Sequence, residues 1–326
     1  MGISLKEVSF SYNPKRKGTV YALHNINLEI ADKDEFIAII GETGSGKSTL
    51  ASIFNALKIP TSGDAYVSGI KIKKIRKRRE NYNNIRKHVG LVFQMSDYQL
   101  FENTVIDDVM FAPLNFSKTK EEAREIAKHS LELVHIDESF YEKSPFLLSG
   151  GEKKLVSIAG ILAMEPDILI FDEPTAGIDP STKKKLLKLF KEFNEVHHKS
   201  IIIITHDMNI VNSYAKRVIL MKKGRIALDS TPYELFKENS DIVKDSNIDL
   251  PDTYTLIDFI EEKTGIKIDK HLKNLDEIAE VLTYESYFCA RSICSRKLIF
   301  IQIRSKSQDY LDYFTNGQRL FPYDLL

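Results

Sequence analysis

Residues 3–12 alternate apolar and polar side chains, the period of a strand with one buried face, and residues 26–30 repeat that pattern. An apolar run at 35–40 ends in Gly41 and reads as a buried strand feeding a loop. Residues 48–57 then place Leu50, Ile53, Phe54 and Leu57 on one side at helical spacing, and Pro60 forbids continuation. Strand, glycine loop and helix in that order is what a nucleotide-binding α/β unit requires. Further along, 89–93, 168–171 and 201–205 read as buried strands, and 121–134, 152–163 and 180–196 as helices. Alternation of this kind predicts an α/β fold with a mostly parallel sheet covered on both faces. Residues 218–221 and 225–229, around Lys223-Gly224, predict a hairpin that closes the domain.

After Phe236 the pattern changes. Residues 239–249 are polar, with repeated Asp, Asn and Ser, and read as a linker or surface crossing. Residues 252–264 and 275–284 predict two short helices of a small second module. The organisation expected is therefore a large domain over 1–238, a small module over 239–284 and an extension over 285–326. Within the extension only 298–303 suggests a strand, and no motif follows it.

Composition narrows the function classes. Lys+Arg and Asp+Glu are equal at 46 each among 326 residues, so no global field points to nucleic acid or a membrane surface. Residues 71–79 carry seven basic side chains in nine, but no aromatic lies between them, and a solvated face is the expected reading. Cys289 and Cys294 are the only cysteines, which fits a reducing compartment and argues against a zinc site. The first twelve residues lack the apolar core of a signal peptide, and no apolar run reaches the about 18 residues of a spanning helix. The expectation is a cytoplasmic chain whose membrane role, if any, comes through partners.

The chemistry concentrates in a few places. Gly41-Glu42-Thr43-Gly44-Ser45-Gly46-Lys47-Ser48-Thr49 matches G-x-x-x-x-G-K-[ST]. Its glycines let backbone N–H groups turn inward around phosphates, Lys47 reaches the β- and γ-phosphates, and the Ser48 hydroxyl is placed to ligate Mg²⁺. Asp172 and Glu173 end the apolar strand at 168–171, Asp172 as a Mg²⁺ ligand and Glu173 as the base that orients and deprotonates the attacking water. Gln94 follows the strand at 89–93, and its amide can touch Mg²⁺, the water and a moving partner. His206 follows the strand at 201–205, where ligands of open α/β sheets bind, and can donate to the γ-phosphate. Leu148-Ser149-Gly150-Gly151-Glu152 is a second glycine-rich anion site. It is redundant within one pocket and makes sense if it closes the pocket of another chain.

In this combination the chain resembles the nucleotide-binding subunits of ABC transporters, from residue 1 to about 236. The resemblance rests on the P-loop, Gln94, residues 148–152, the acidic strand, residues 176–179 and His206, in the family's order. It implies a P-loop ATPase cassette: a mixed sheet core, an antiparallel β-subdomain and a helical subdomain carrying the signature, with a small C-terminal helical module. It implies ATP and Mg²⁺ as ligands and head-to-tail pairing with a second ABC ATPase chain, either a copy or a paralogue. In such a pair Ser149, Gly150 and Gly151 meet the ATP held by the other chain, and Asp179 crosses the interface. An aromatic near the N-terminus stacks on adenine, Tyr12 first and Tyr21 in reserve. Glu152 stands where many relatives have Gln.

A narrower resemblance lies in Gln94 to Phe101, where Gln99-Leu100-Phe101 follows the Gln-loop, and in the stretch from Thr104 to Pro113. It is similar to the ATPase of energy-coupling factor importers of vitamins and metal ions. That implies an integral membrane scaffold subunit and a substrate-binding membrane subunit as partners, no nucleic acid, and a place on the cytoplasmic face of the cell membrane. The surface around residues 98–101 would receive the membrane partner. An ATPase of another ABC transporter class, or a non-transport ABC ATPase, stays open at this level.

Overall fold

The computed structural model describes residues 2–14, 19–73, 82–94 and 99–264, with 267, 268, 272, 274, 277, 278, 280 and 281 beyond them. It divides into two compact units, Met1–Pro251 and a second that begins at Asp252.

The first unit holds two sheets. Strands β1 (Ile3–Ser11), β2 (Tyr21–Ile30), β4 (Ser62–Val67) and β5 (Ile70–Ile72) form an antiparallel sheet in the order β2-β1-β4-β5. The other sheet combines β3 (Phe36–Ile40), β6 (Val89–Val92), β7 (Ile168–Asp172), β8 (Ser200–Ile204), β9 (Arg217–Lys222) and β10 (Arg225–Ser230), in the order β10-β9-β3-β8-β7-β6. Its strands run parallel from β9 to β6, and β10 closes the edge antiparallel as the second arm of a hairpin. Every residue of β3, β6 and β8 is buried, which explains why these strands read as unbroken apolar runs rather than alternating ones. Burying each isoleucine contributes about 1.5–3 kcal/mol, so these strands anchor the domain.

Helices α1 (Lys47–Phe54), α2 (Asn83–His88), α3 (Val105–Asn115), α4 (Lys120–Leu133), α5 (Gly150–Leu162), α6 (Pro180–Glu195), α7 (Met208–Tyr214) and α8 (Ser240–Asp245) complete this unit. Among them α3, α4 and α5 pack on one another as a helical subdomain. Thr119 and Ser149 start α4 and α5 with capping boxes, each accepting from the backbone N–H of a Glu three residues on while that carboxylate takes the cap's own N–H.

Register fixes the functional edge. Ile39 pairs with Ile204, Asp172 pairs with Ile204 and Val92 pairs with Phe171. The carboxyl ends of β3, β8, β7 and β6 are therefore level, and the segments leaving them emerge side by side.

Three expectations need correction. Leu57 is 44% exposed and lies outside α1, because Ala56 takes φ +53° and the N–H groups of Leu57 and Lys58 both turn back to the Ser52 carbonyl. The second strand starts at Tyr21, five residues before the alternation is visible. A bulge inserts an extra residue opposite β1 (Val8 pairs with Ile26, but Phe10 with Leu23) and breaks the period of two. Residues 239–249 are not only a crossing, since they contain α8 and a buried Val243. Of the basic run, 74–79 lie outside the described residues, and Lys71 pairs with Asp64 at 3.1 Å.

In the second unit α9 (Asp252–Thr264) takes the expected bounds, and Ile257, Ile268 and Ile278 form a small apolar cluster. Most of the helix expected at 275–284, and all of 285–326, lie outside the described residues.

Candidate active site

The loop between β3 and α1 owes its shape to three glycines. Gly41, Gly44 and Gly46 take φ of +137°, +82° and +106°, which side chains with a Cβ rarely adopt. A Cβ on Gly41 would also sit 2.1 Å from the Met221 carbonyl oxygen, and one on Gly46 would sit 2.7 Å from that of Ala22. The turn between β9 and β10 braces the loop from behind, with the Gly224 N–H donating to the Ser45 carbonyl at 2.9 Å.

Lys47 is 6% exposed, and its ammonium donates to the carbonyls of Gly41 at 2.6 Å and Glu42 at 2.9 Å. Burial lowers its pKa, opposed by the charges of Glu173 and Asp172. Ser48 and Thr49 follow on the first turn of α1, Ser48 exposed and Thr49 buried. The Ser45 hydroxyl is buried without a hydrogen-bond partner. An orphaned donor in this glycine-shaped loop fits a phosphate oxygen as its acceptor.

Facing the loop, Asp172 ends β7 and Glu173 follows in a left-handed conformation, φ +49°, with its N–H on the Ile204 carbonyl at 2.9 Å. Burial, and then the charge of Asp172, push the Glu173 carboxyl up to about 7, against the pull of Lys47. Its Oε1 lies 3.3 Å from Nε2 of His206, but off hydrogen-bond geometry, so this buried oxygen has no hydrogen-bond partner. The His206 pKa is lowered by burial and by the Lys47 charge. A carboxyl that titrates near neutrality and holds an unsatisfied oxygen at a nucleotide loop is equipped to take a proton.

Behind His206, Asp207 caps α7 by accepting from Asn209 at 2.9 Å and Ile210 at 3.3 Å, and it also pairs with Lys183 of α6. Gln94 sits exposed two residues beyond β6, leaving the same edge of the sheet as Asp172. Asp179 caps α6, accepting from Ser181 at 2.9 Å and Thr182 at 3.0 Å.

Tyr12 is 60% exposed at the end of β1. Its hydroxyl lies 3.0 Å from the Thr49 hydroxyl, its ring edge meets Phe10 with centroids 5.1 Å apart, and the Lys58 ammonium lies 5.5 Å from its centre. Tyr21 instead packs on His24 at 5.4 Å. A contact that the sequence did not suggest joins Glu42 of the loop to Asn247 at 2.9 Å.

Lys47, Asp172, Glu173 and His206 thus feel one another's charges, whereas Ser149, Gly150 and Gly151 do not join them. Ser149 bonds only within its own helix start, and a Cβ on Gly151 would meet Thr182 of α6 at 3.0 Å. The donors expected for a metal are the Ser48 hydroxyl, the Asp172 carboxylate and the Gln94 amide. These are hard oxygens, too few for a closed cage and suited to a cation that shares its sphere with phosphate. Among the described residues no group of three or more His, Cys, Asp or Glu side chains is placed to hold a metal ion by itself.

A profile of the ABC transporter family matches residues 23–176. The energy-coupling factor transporter ATP-binding protein EcfA2 of Spiroplasma kunkelii is 43% identical over 278 residues, covering 85% of this chain and 90% of its own. That of Ligilactobacillus salivarius is 41% identical over 286 residues, covering 86% and 98%. Among solved structures, cbiO1 from Clostridium perfringens, part of the ABC transporter complex cbiONQ, has a TM-score of 0.65 at 36% identity, covering 78% of this chain and 98% of its own. The ATP-binding cassette MJ0796, dimeric and bound to ADP and Pi, has a TM-score of 0.62 at 33% identity, covering 71% and 98%. With its phosphate loop, acidic strand end and separate signature in this geometry, the chain belongs to the ABC transporter family, among the ATP-binding proteins of energy-coupling factor transporters.

Proposed function

We propose that the chain is the ATP-hydrolysing subunit of an importer for a vitamin or metal ion, acting at the cytoplasmic face of the membrane. It works as one half of an ATPase pair, beneath an integral scaffold subunit and a substrate-binding membrane subunit. The observation that carries this is the separation of the two anion sites. Lys47 and Glu173 face one another, while Ser149 engages nothing but its own helix start. A serine that serves no site of its own chain is free to complete that of a second ATPase chain.

In that pair the ring of Tyr12 stacks on adenine, and residues 41–49 wrap the phosphates with backbone N–H groups. Lys47 turns from the Gly41 and Glu42 carbonyls to the β- and γ-phosphates. Ser48, Asp172 and Gln94 would hold Mg²⁺, which supplies neutralising charge at the phosphates. Glu173 takes the proton of the attacking water, and His206 donates to the γ-phosphate while standing against Glu173. Ser149 and Gly151 supply donors to the γ-phosphate of the other chain, and Asp179 lies at the seam between chains. The membrane partner docks on the side of Phe101, which is 56% exposed and stacked edge-on against Phe111 at 4.9 Å. Among the described residues no helix is long and apolar enough to cross a membrane.

The test is purification of the intact complex through a tag on this chain, with mass spectrometry of what accompanies it. The expected companions are a second ATPase chain, or more of this one, and two membrane proteins. Recovery of a complex with no membrane protein would overturn the reading.

A further inference from the structure

The hydroxyl of Ser149 has one proton, and it is engaged. Ser149 Oγ lies 2.7 Å from Glu152 Oε2 and donates to it, while accepting from the Glu152 N–H at 3.3 Å. The same carboxylate oxygen takes the Ser149 N–H at 2.8 Å. An ionised carboxylate can only accept, so the direction of the 2.7 Å bond is fixed by chemistry. The bond to Ser149 also holds the Glu152 carboxyl below the ordinary range, with Lys143 helping, so it is charged at neutral pH. Phosphate oxygens, too, can only accept.

We propose that Glu152 is a positioning residue that holds the Ser149 hydroxyl away from the incoming γ-phosphate and so limits how tightly the ATPase pair closes on nucleotide. The proposal rests on the composite-site reading above. For Ser149 to serve the other chain's γ-phosphate, its O–H must rotate from the carboxylate to the phosphate. Glu152 then keeps only the Ser149 N–H and is left with its charge beside that of the nucleotide. Closure therefore breaks one charge-assisted hydrogen bond and brings two anions together. Both effects favour reopening. A neutral Gln at position 152 keeps the cap, because Gln serves a capping box as Glu does. Its amide holds the hydroxyl less firmly, carries no charge and has N–H groups to offer the phosphate.

The experiment uses the assembled ATPase pair and the β,γ-imido analogue of ATP as probe, reading closure by energy transfer between dyes on the two chains. Glu152→Gln is expected to lower the analogue concentration for half-closure about tenfold and to slow reopening, a coupling of ordinary size for linked sites. Nucleotide binding to the isolated chain stays unchanged, since that chain's own loop does not touch residue 152. In a Ser149→Ala background the effect of Glu152→Gln should fall by at least half, because the hydroxyl through which Glu152 acts is gone. Equal midpoints for Glu and Gln would overturn the proposal. So would an undiminished effect in the Ser149→Ala background, which would leave only a general charge effect. If the unsubstituted pair failed to close at any analogue concentration, the composite-site reading itself would fall, and this inference with it.

Discussion

The Tyr12 hydroxyl lies 3.0 Å from that of Thr49, so the exposed ring at the end of the first strand is tied to the first turn of the helix that follows the phosphate loop. That bond holds the ring beside the loop without covering its open face. The ring and the bond can be separated by substitution. Tyr12→Ala is expected to weaken ATP binding to the isolated chain by about 1–3 kcal/mol, the worth of one base stacked on an aromatic. Tyr12→Phe keeps the face and should lie within about threefold of the parent, the scale of one neutral hydrogen bond at a half-open site. Tyr21, packed on His24, should matter little. Titration with a fluorescent ATP analogue measures all three, and a larger loss for Tyr21→Ala than for Tyr12→Ala would reverse the assignment.

Lys47 is a buried charge, and the proposed function gives it phosphate as its ligand. Its ammonium is desolvated and held by two carbonyls of its own loop, with the two carboxylates of Asp172 and Glu173 near it. Lys47→Met should therefore abolish the stabilisation of the chain by nucleotide, which for the parent amounts to about 2.7 kcal/mol at a hundredfold excess over Kd and shows as a rise in thermal midpoint. Calorimetric scans with and without ATP report this, and a retained rise would mean that the loop binds phosphate without its lysine.

A third prediction concerns stability alone. Asn194 is 2% exposed near the end of the sixth helix, and its amide joins three segments. Nδ2 donates to the carbonyls of Glu35 at 3.0 Å and Lys199 at 2.8 Å, and Oδ1 accepts from Lys216 at 2.8 Å. Asn194→Ala leaves the half-buried Lys199 carbonyl without this donor, at about 1–3 kcal/mol for an unsatisfied group, while the Glu35 carbonyl keeps the Ile201 N–H at 2.8 Å. We expect a loss of about 1–3 kcal/mol in urea unfolding of the chain, with ATP affinity of the folded protein unchanged. A loss under about 0.5 kcal/mol would show that water replaces the amide.

What the sequence made legible follows from how local each cause is. The phosphate loop is written in glycines whose conformations the neighbouring backbone demands, so spacing alone finds it. The acidic strand end and His206 are equally visible, because buried parallel strands are continuous apolar runs that stop where the site begins. The alternation shows only the last part of the second strand, because its bulge is a property of the pairing with the first strand, not of its own pattern. Contacts between distant segments leave no local mark at all. Glu42 and Asn247 are 205 residues apart, and neither residue type announces the other. The engaged state of the Ser149 hydroxyl sits between these cases: the capping-box spacing from Ser149 to Glu152 is readable, but its conflict with a phosphate appears only with the bond directions.

Glu173 gives the sharpest test of chemistry. Its carboxyl is raised to about 7 by burial and by Asp172, and one oxygen has no hydrogen-bond partner although His206 stands 3.3 Å away. A base with such a pKa is about half ionised near neutrality and strong enough to take a proton as phosphoryl transfer proceeds. Glu173→Gln preserves shape and removes basicity. We expect turnover of the ATP bound to this chain's own loop to fall about 10²- to 10⁴-fold, with nucleotide affinity held or increased, because removing a carboxylate near the phosphates also removes repulsion. The pair should accumulate closed with ATP inside. Where the second ATPase is a paralogue, its own site continues to turn over, so single-turnover assays must follow the nucleotide on this chain. His206→Ala should cost less than Glu173→Gln, since a hydrogen-bond donor is lost but the base remains. Wild-type turnover in Glu173→Gln would move the base elsewhere, and the one other carboxylate at the end of this strand, Asp172, would then have to be tested for it.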